Sequence, residues 1–333
     1  MDAVCAARPG WSRRSAAMMT DELFQLDPCV QMADARLDRF RGCLLGLAVG
    51  DAVGTAVEFQ PRGSFPPLTD MVGGGPFGLL PGQWTDDTSM ALCLAASLVA
   101  SDGFDAEDQA QRYLRWRDQG YMSSNGSCFD IGTTVSAALT RYQDTGDPYA
   151  GSDQPRAAGN GCIMRLAPVP MFYAADREQA VHYAAESART THGAVECLEA
   201  CRLLSAMLCE AFVGGDKEAI VRGHDGLGLT QPNVAAIAAA AYLGKPAEAI
   251  RGSGYVVECL EAALWCFWQT DSFEAAVLAA ANLGDDADTT AAVCGQLAGA
   301  HYGIKGIPAR WLNRLVGRSM IEQMAVALDR GAD

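Results

Sequence analysis

Along most of this chain apolar residues return every third or fourth position, the spacing that lines one face of a helix. The pattern runs through 36–57 (RLDRFRGCLLGLAVGDAVGTAV), 87–101 (DTSMALCLAASLVAS), 105–120, 177–192, 194–214, 231–244, 253–270, 272–284 and 308–330. Stretches that alternate with period two and are rich in Val, Ile and Thr are almost absent, and alanine is abundant. The expected fold is all-α, with an extension at 1–35 that differs from the rest, and 333 residues fit two domains or one large one.

Two long Gly/Pro-rich stretches, 60–83 and 145–161, interrupt the helices. Loops of that length in a compact domain usually carry function, and the first leads straight into WTDDT at 84–88. Gly42, Gly46, Gly50 and Gly54 recur every fourth residue and form a groove without side chains. Such a stripe is known from membrane helix dimers, but Arg41 and Asp51 interrupt it, so close packing against another backbone explains it better. No uninterrupted apolar run approaches the roughly 18 residues of a membrane span, and none is expected.

Half the residues are hydrophobic, ample for a core, and the formal charge is −15. A phosphate backbone wants a basic footprint, so nucleic acid is not an expected partner, and an anionic small ligand would need local donors. Twelve cysteines occur without CxxC pairs, which points to free thiols in the cytoplasm; Cys197 and Cys201, one turn apart, read as small buried apolar residues. The first 35 residues have an Arg13–Arg14 pair but no apolar core of a signal peptide, and Met18 or Met19 offers an alternative start. Little order is expected before about residue 35, and 20–35 could form a short helix or an interaction arm.

The chemistry lies in two similar clusters. In QWTDDTSMALC, acids and threonines precede an apolar helical run, where side-chain oxygens can cap a helix start. The same signature returns in NLGDDADTTAAVCG at 282–295. Glu58, Thr85, Asp86, Asp87, Asp286, Asp288 and Thr289 offer five carboxylates and two hydroxyls, with no histidine or cysteine inside either cluster. Hard oxygen donors select Mg2+, Mn2+ or Ca2+ over zinc. Five negative charges held together are costly unless cations offset them, and two divalent ions nearly balance them.

GDAVGTAVE, WTDDT, GYMSSNGSCFDIGTT, AGNGCIMRLAPVP, ARTTH and GDDADTTA follow one another in the order found in the ADP-ribosylglycohydrolases. The chain resembles that family, in its bacterial branch typified by the dinitrogenase reductase-activating glycohydrolase, over residues 36 to about 315. The resemblance implies a single large all-α domain of orthogonally packed helices over 36–330, with a binuclear Mg2+ or Mn2+ centre where helix ends converge. By motif position it makes Thr85, Asp86, Asp87, Asp286, Asp288 and Thr289 metal ligands. Glu58 matches an acid that approaches the metals and moves with its loop, while Asp285 falls just outside the D-x-D-T pattern, as a cap or supporting group. The implied reaction is hydrolysis of the N-glycosidic bond between ADP-ribose and a modified side chain, most often arginine, with a mono-ADP-ribosylated protein as the partner.

In that scheme the ions hold ribose hydroxyls and position or activate water. Asp130 matches a carboxylate that assists proton transfer, and its Gly/Ser/Thr-rich surroundings suit an acid–base group or a solvated one. Ser124, Asn125 and Gly126, with Asn160 and Gly161, supply small hydroxyls and N–H groups able to cradle a diphosphate without a lysine, or else form plain turns. His192 matches a position on the ribose side, although a histidine after a helix is often a cap or a core group. Arg165 could serve the anion or the acidic surroundings.

Three rival readings remain. A metal-free pair of carboxylates flanking a glycosidic bond leaves the threonines beside both clusters unexplained. A thiol hydrolase using a Cys and His pair, for instance Cys197 with His192, has nothing that marks any of the twelve cysteines. A binding protein would hold ADP-ribose, or use residues 1–35 to plug a cognate ADP-ribosyltransferase as an immunity factor. Intact ligand positions favour catalysis.

Overall fold

In the computed structural model, which describes residues 28–329, every regular element is helical. The helices are α1 (Pro28–Gly54), α2 (Asp86–Ser101), α3 (Ala106–Gln119), α4 (Thr133–Thr145), α5 (Pro168–Phe172), α6 (Arg177–Arg189) and α7 (Val195–Phe212). They continue with α8 (Lys217–Val221), α9 (Pro232–Ala238), α10 (Val256–Gln269), α11 (Phe273–Ala281), α12 (Ala287–Tyr302), α13 (Ala309–Arg314) and α14 (Arg318–Asp329). Among the described residues extended pairing is limited to three isolated bridges. The chain divides into two units, Met1–Arg36 and Leu37–Asp333. Of the first unit only the helical stretch 28–36 is described, so the arm expected at 1–35 falls largely outside the described residues.

The helix Ala33–Val57 has a mean hydropathy of 1.4 and is long and apolar enough to cross a membrane, contrary to the impression its charged residues give. Within the fold, 89 % of that window is buried by protein. The cover is α12. A Cβ placed on Gly42, Gly46, Gly50 or Gly54 would lie 2.2, 2.2, 2.1 or 2.4 Å from the carbonyl oxygens of Gly299, Gly295, Ala291 and Ala287. The contact is reciprocal, since a Cβ on Gly295 or Gly299 would meet the carbonyls of Gly46 and Gly42 at 2.1 and 2.0 Å. The glycine stripe is thus a backbone-to-backbone seam, and it places Asp51 on α1 opposite the start of α12. Around the seam a continuous core gathers Phe40, Leu44, Trp84, Trp116, Phe267 and Trp311.

Helix ends follow local chemistry. Asp105, Asp176 and Ser272 cap α3, α6 and α11 through side-chain oxygens, and Gly120 ends α3 in the left-handed region. The periodic stretch 308–330 is two helices, because Gly317 at φ 69° turns the chain between them. Likewise α9 stops early where Ala240 adopts φ 57°. Apart from α12, which the second acidic cluster announces, three helices, α4, α5 and α8, lie outside the stretches read as periodic. For α4 the signal was present: Val135, Ala138, Leu139 and Tyr142, buried at i, i+3, i+4 and i+7, follow two threonines and a glycine.

Both long loops are tied down. In the first, Leu68 and Asn282 exchange two hydrogen bonds, and Asp70 accepts from Trp311 Nε1 at 2.6 Å and Arg314 Nη1 at 2.7 Å. In the second, Ser152 pairs with His192 and Gly159 with Tyr255, which sets the 159–161 turn beside the two acidic clusters.

Candidate active site

The N-terminus of α2 supplies Asp86 and Asp87 in its first turn, but neither caps it. The cap comes from Asp51, fully buried on α1. Its Oδ1 accepts from Thr85 N at 2.8 Å, and its Oδ2 from Thr88 N at 3.1 Å and Thr88 Oγ1 at 2.6 Å. The expectation that the WTDDT acids are cap and ligand at once is therefore corrected: an acid 34 positions earlier takes the capping role, so 86 and 87 keep their oxygens for the site. The same separation holds at α12, where Asp286 makes no side-chain cap bond and its Oδ2 accepts from Asn160 Nδ2 at 2.8 Å. Asp285, exposed and left-handed at φ 55°, uses its backbone instead: its carbonyl accepts from Phe59 N at 2.7 Å and its N–H donates to Gln60 at 2.8 Å. That clamp fastens the Glu58 loop to the second acidic cluster.

Two groups of carboxylates converge. Oxygens of Asp51, Asp87 and Asp288 lie within 4.8 Å of one another, as do oxygens of Glu58, Asp130 and Asp288. Asp288 belongs to both. Thr85 Oγ1 joins them, donating to Asp87 Oδ2 at 3.0 Å and reaching Asp288 Oδ2 at 3.4 Å. Asp87 Oδ1, Asp288 Oδ1 and Glu58 Oε2 are buried with no hydrogen-bond partner among the described residues. Burial, then mutual repulsion, pushes these acids up: Asp86, Asp87 and Asp288 lie well above the carboxylate range, and Glu58 is raised to about 9. Asp130, half-buried at φ 60°, is raised to about 7 by burial and the charges of Asp51 and Asp286. Unpartnered oxygens and repelling charges on an all-oxygen donor set are what divalent cations relieve, so the residues fit a metal centre.

The site opens into a cavity of about 250 Å³, lined among others by Glu58, Asp86, Asp130, Asn160, Asp286, Asp288, Thr289 and His192. Thr85 and Asp87 lie beneath that surface. Gly161 lines the wall beside His192. Ser124, Asn125 and Gly126 do not line the cavity: Ser124 Oγ donates to the Trp84 carbonyl at 2.6 Å, steadying the segment before Thr85, and Asn125 folds back on Ser123 and Ser127. Two residues escaped the sequence reading. Asp51 was visible there only as an interruption of the glycine stripe, and Phe59 stands at the cavity rim with φ 60°, 64 % exposed. The pairing of Cys197 with His192 finds no support: Cys197 Sγ donates to the Gly159 carbonyl at 3.3 Å, and its contact with Cys162, together with burial, pushes it far above the ordinary thiol range.

Comparison with known proteins agrees with this geometry. The family profile described as ADP-ribosylglycohydrolase matches residues 32–333. The ADP-ribosylarginine hydrolase Tri1 of Serratia proteamaculans is 42 % identical over 308 residues, 92 % of this chain and 83 % of that protein. The ADP-ribosyl-[dinitrogen reductase] glycohydrolase of Rhodospirillum rubrum is 33 % identical, covering 84 % of this chain and 90 % of that protein. A solved structure described as an ADP-ribosylglycohydrolase-related protein complex superposes with a TM-score of 0.80 at 45 % identity, over 90 % of this chain and 100 % of that one. Helical architecture, paired acidic clusters and these matches together place the chain in the ADP-ribosylglycohydrolase family.

Proposed function

We propose that this protein hydrolyses the N-glycosidic bond joining ADP-ribose to arginine side chains of modified proteins, reversing mono-ADP-ribosylation with the help of two Mg2+ or Mn2+ ions. The observation that carries this reading is the sharing of Asp288 between two buried carboxylate groups. Thr85, Asp86, Asp87, Asp286, Asp288 and Thr289 would hold the ions, with Glu58 closing the set from its loop. When bound, the ions supply alignment of the ribose hydroxyls and a water acidified enough to attack.

The chain's own groups do the rest. Asp51 fixes the α2 terminus, which sets Asp87 beside Asp288 and leaves Asp86 lining the cavity. Asp130, whose carboxylate stands with Glu58 and Asp288 at the cavity, takes a proton from the attacking water and returns one to the departing guanidine nitrogen. Water is consumed, the C1′–N bond breaks, and free ADP-ribose and arginine result. Asn160, fixed by Asp286, and His192 border the cavity where the nucleotide lies. The substrate is the product of an ADP-ribosyltransferase, and the free thiols, from Cys43 to Cys294, suit a cytoplasmic setting.

The test is incubation with arginine-linked and serine-linked ADP-ribosyl peptides, with Mg2+, with Mn2+ and with chelator, followed by mass spectrometry. Release of ADP-ribose from the arginine-linked peptide alone, abolished by chelator and restored by metal, is expected. Release from the serine-linked peptide alone, or full activity in chelator, contradicts the proposal.

A further inference from the structure

Arg165 is 1 % exposed, and among the described residues no carboxylate pairs with it. Its guanidinium lies 4.6 Å over the Tyr113 ring, Nη1 faces Met90 Sδ at 3.6 Å, and Nη2 donates to Thr191 Oγ1 at 2.6 Å. A buried cation without a counter-ion is expensive, and this one has a single strong hydrogen bond. Thr191, fully buried, is the intermediary: its Oγ1 lies 2.8 Å from His192 Nδ1.

The direction of this chain follows from the donor inventory. A guanidinium only donates, so the Thr191 oxygen accepts from Arg165. Its one hydroxyl proton then has Nδ1 of His192 as its acceptor, for among the described residues Thr191 Oγ1 has no other side-chain neighbour in bonding range. The opposite tautomer would make the oxygen accept twice and strand a buried O–H, a penalty that suppresses it roughly tenfold or more. With Nδ1 accepting, the ring proton sits on Nε2. That nitrogen faces the cavity with no hydrogen-bond partner among the described residues, and small residues keep its path open: a Cβ on Gly161 would lie 3.2 Å from Nε2 and 2.9 Å from Cε1, and one on Gly159 3.4 Å from Nε2. Burial, against an upward pull from Cys162 and with the Arg165 charge adding to it, brings His192 down to about 4, so the ring is neutral in the cell.

We propose that Arg165 and Thr191 are positioning residues that hold His192 in its Nε2–H form, a fixed neutral donor aimed at an oxygen of the ADP-ribosyl group. The last clause rests on the function proposed above, whereas the relay itself does not. The ring donates a hydrogen bond and transfers no proton.

Nitrogen NMR of the ligand-free protein labelled at histidine tests the relay directly. Four histidines occur in the chain, and His192→Gln assigns the relevant signal. The expected result is protonated Nε2 and bare Nδ1 at neutral pH; a protonated Nδ1 in the wild-type protein overturns the proposal without need of any variant. Thr191→Val should mix the tautomers and raise KM for an arginine-linked ADP-ribosyl peptide about tenfold, with kcat moving far less, and Thr191→Ser should restore both readouts. A Thr191→Val protein that keeps the tautomer and KM of the wild type also overturns it. If the tautomer is as stated yet ADP-ribose itself does not bind, the relay stands and the reading of the cavity falls.

Discussion

Replacing Asp51 by asparagine probes the least obvious member of the site while preserving its volume. The carboxylate receives three hydrogen bonds, from Thr85 N, Thr88 N and Thr88 Oγ1, at 2.8, 3.1 and 2.6 Å. An amide has one oxygen, so in either orientation one backbone N–H of the α2 start meets an NH2 group and loses its acceptor. A stranded buried donor costs about 1–3 kcal/mol. Losing the negative charge at the positive end of α2 adds about 0.3–1 kcal/mol. Part of this is offset, because burial raises Asp51 to about 6 and removing it relieves repulsion with Asp87. The metal-free variant should therefore be less stable by about 1–2 kcal/mol, the lower half of the stranded-donor range. Metal affinity should fall further, about 10–100-fold, as when a group that orients a ligand is lost. Urea unfolding followed by far-ultraviolet circular dichroism, in chelator and in Mn2+, measures the first effect, and titration calorimetry with Mn2+ the second. Native helicity with unchanged Mn2+ affinity would show that Asp51 does not organise the centre.

Asp288→Asn, removing the acid common to both carboxylate groups, should lower turnover at least about a hundredfold while helicity survives, whereas exposed Asp285→Asn, a residue that tolerates φ 55°, should leave turnover within about twofold; equal rates in the two variants would refute the assignment. Gly46→Ala puts a methyl 2.2 Å from the Gly295 carbonyl and should cost about 3 kcal/mol or more, seen as a Tm drop or loss of soluble protein; a wild-type Tm would refute the seam. His192 is at about 4 in the fold against an ordinary 6.5. Its neutral form is therefore favoured by folding, and this contribution is complete above about pH 6.5 and lost as pH falls towards 4, up to roughly 3 kcal/mol. The stability-versus-pH curve of His192→Gln should be flatter than the wild type's in that window, and parallel curves would contradict the burial of a neutral ring.

The helical class was legible because apolar spacing survives wherever a helix buries one face, and the acidic cluster because most of its members stand in two short, similar segments. What stayed hidden depends on encounters between distant segments. Asp51 reads as a flaw in an apolar stripe until the α2 terminus is set against it, and then it is the cap that the adjacent aspartates were expected to provide. Arg165, Thr191 and His192 sit in two separate motifs, and their order as donor, relay and acceptor exists only once the 159–161 turn meets the end of α6. Ser124, Asn125 and Gly126 have the composition of an anion cradle, but a loop's composition does not fix which way it faces, and Ser124 turns to the Trp84 carbonyl. The split of 308–330 shows the same limit in miniature, since one glycine with positive φ overrides a continuous apolar period.

The seam between α1 and α12 also bears on how the protein is made. Gly50 and Ala291, in contact at the end, are 241 positions apart, 291 minus 50. At roughly 5–20 residues per second, α1 leaves the ribosome about 10–50 s before its partner exists. Throughout that interval an unusually apolar helix with a bare flank is available to chaperones, to the insertion machinery or to other nascent chains. The tightness that fixes the acids in the finished enzyme thus makes its birth a period of exposure, and conditions that slow elongation should lower the yield of folded protein before they touch its activity.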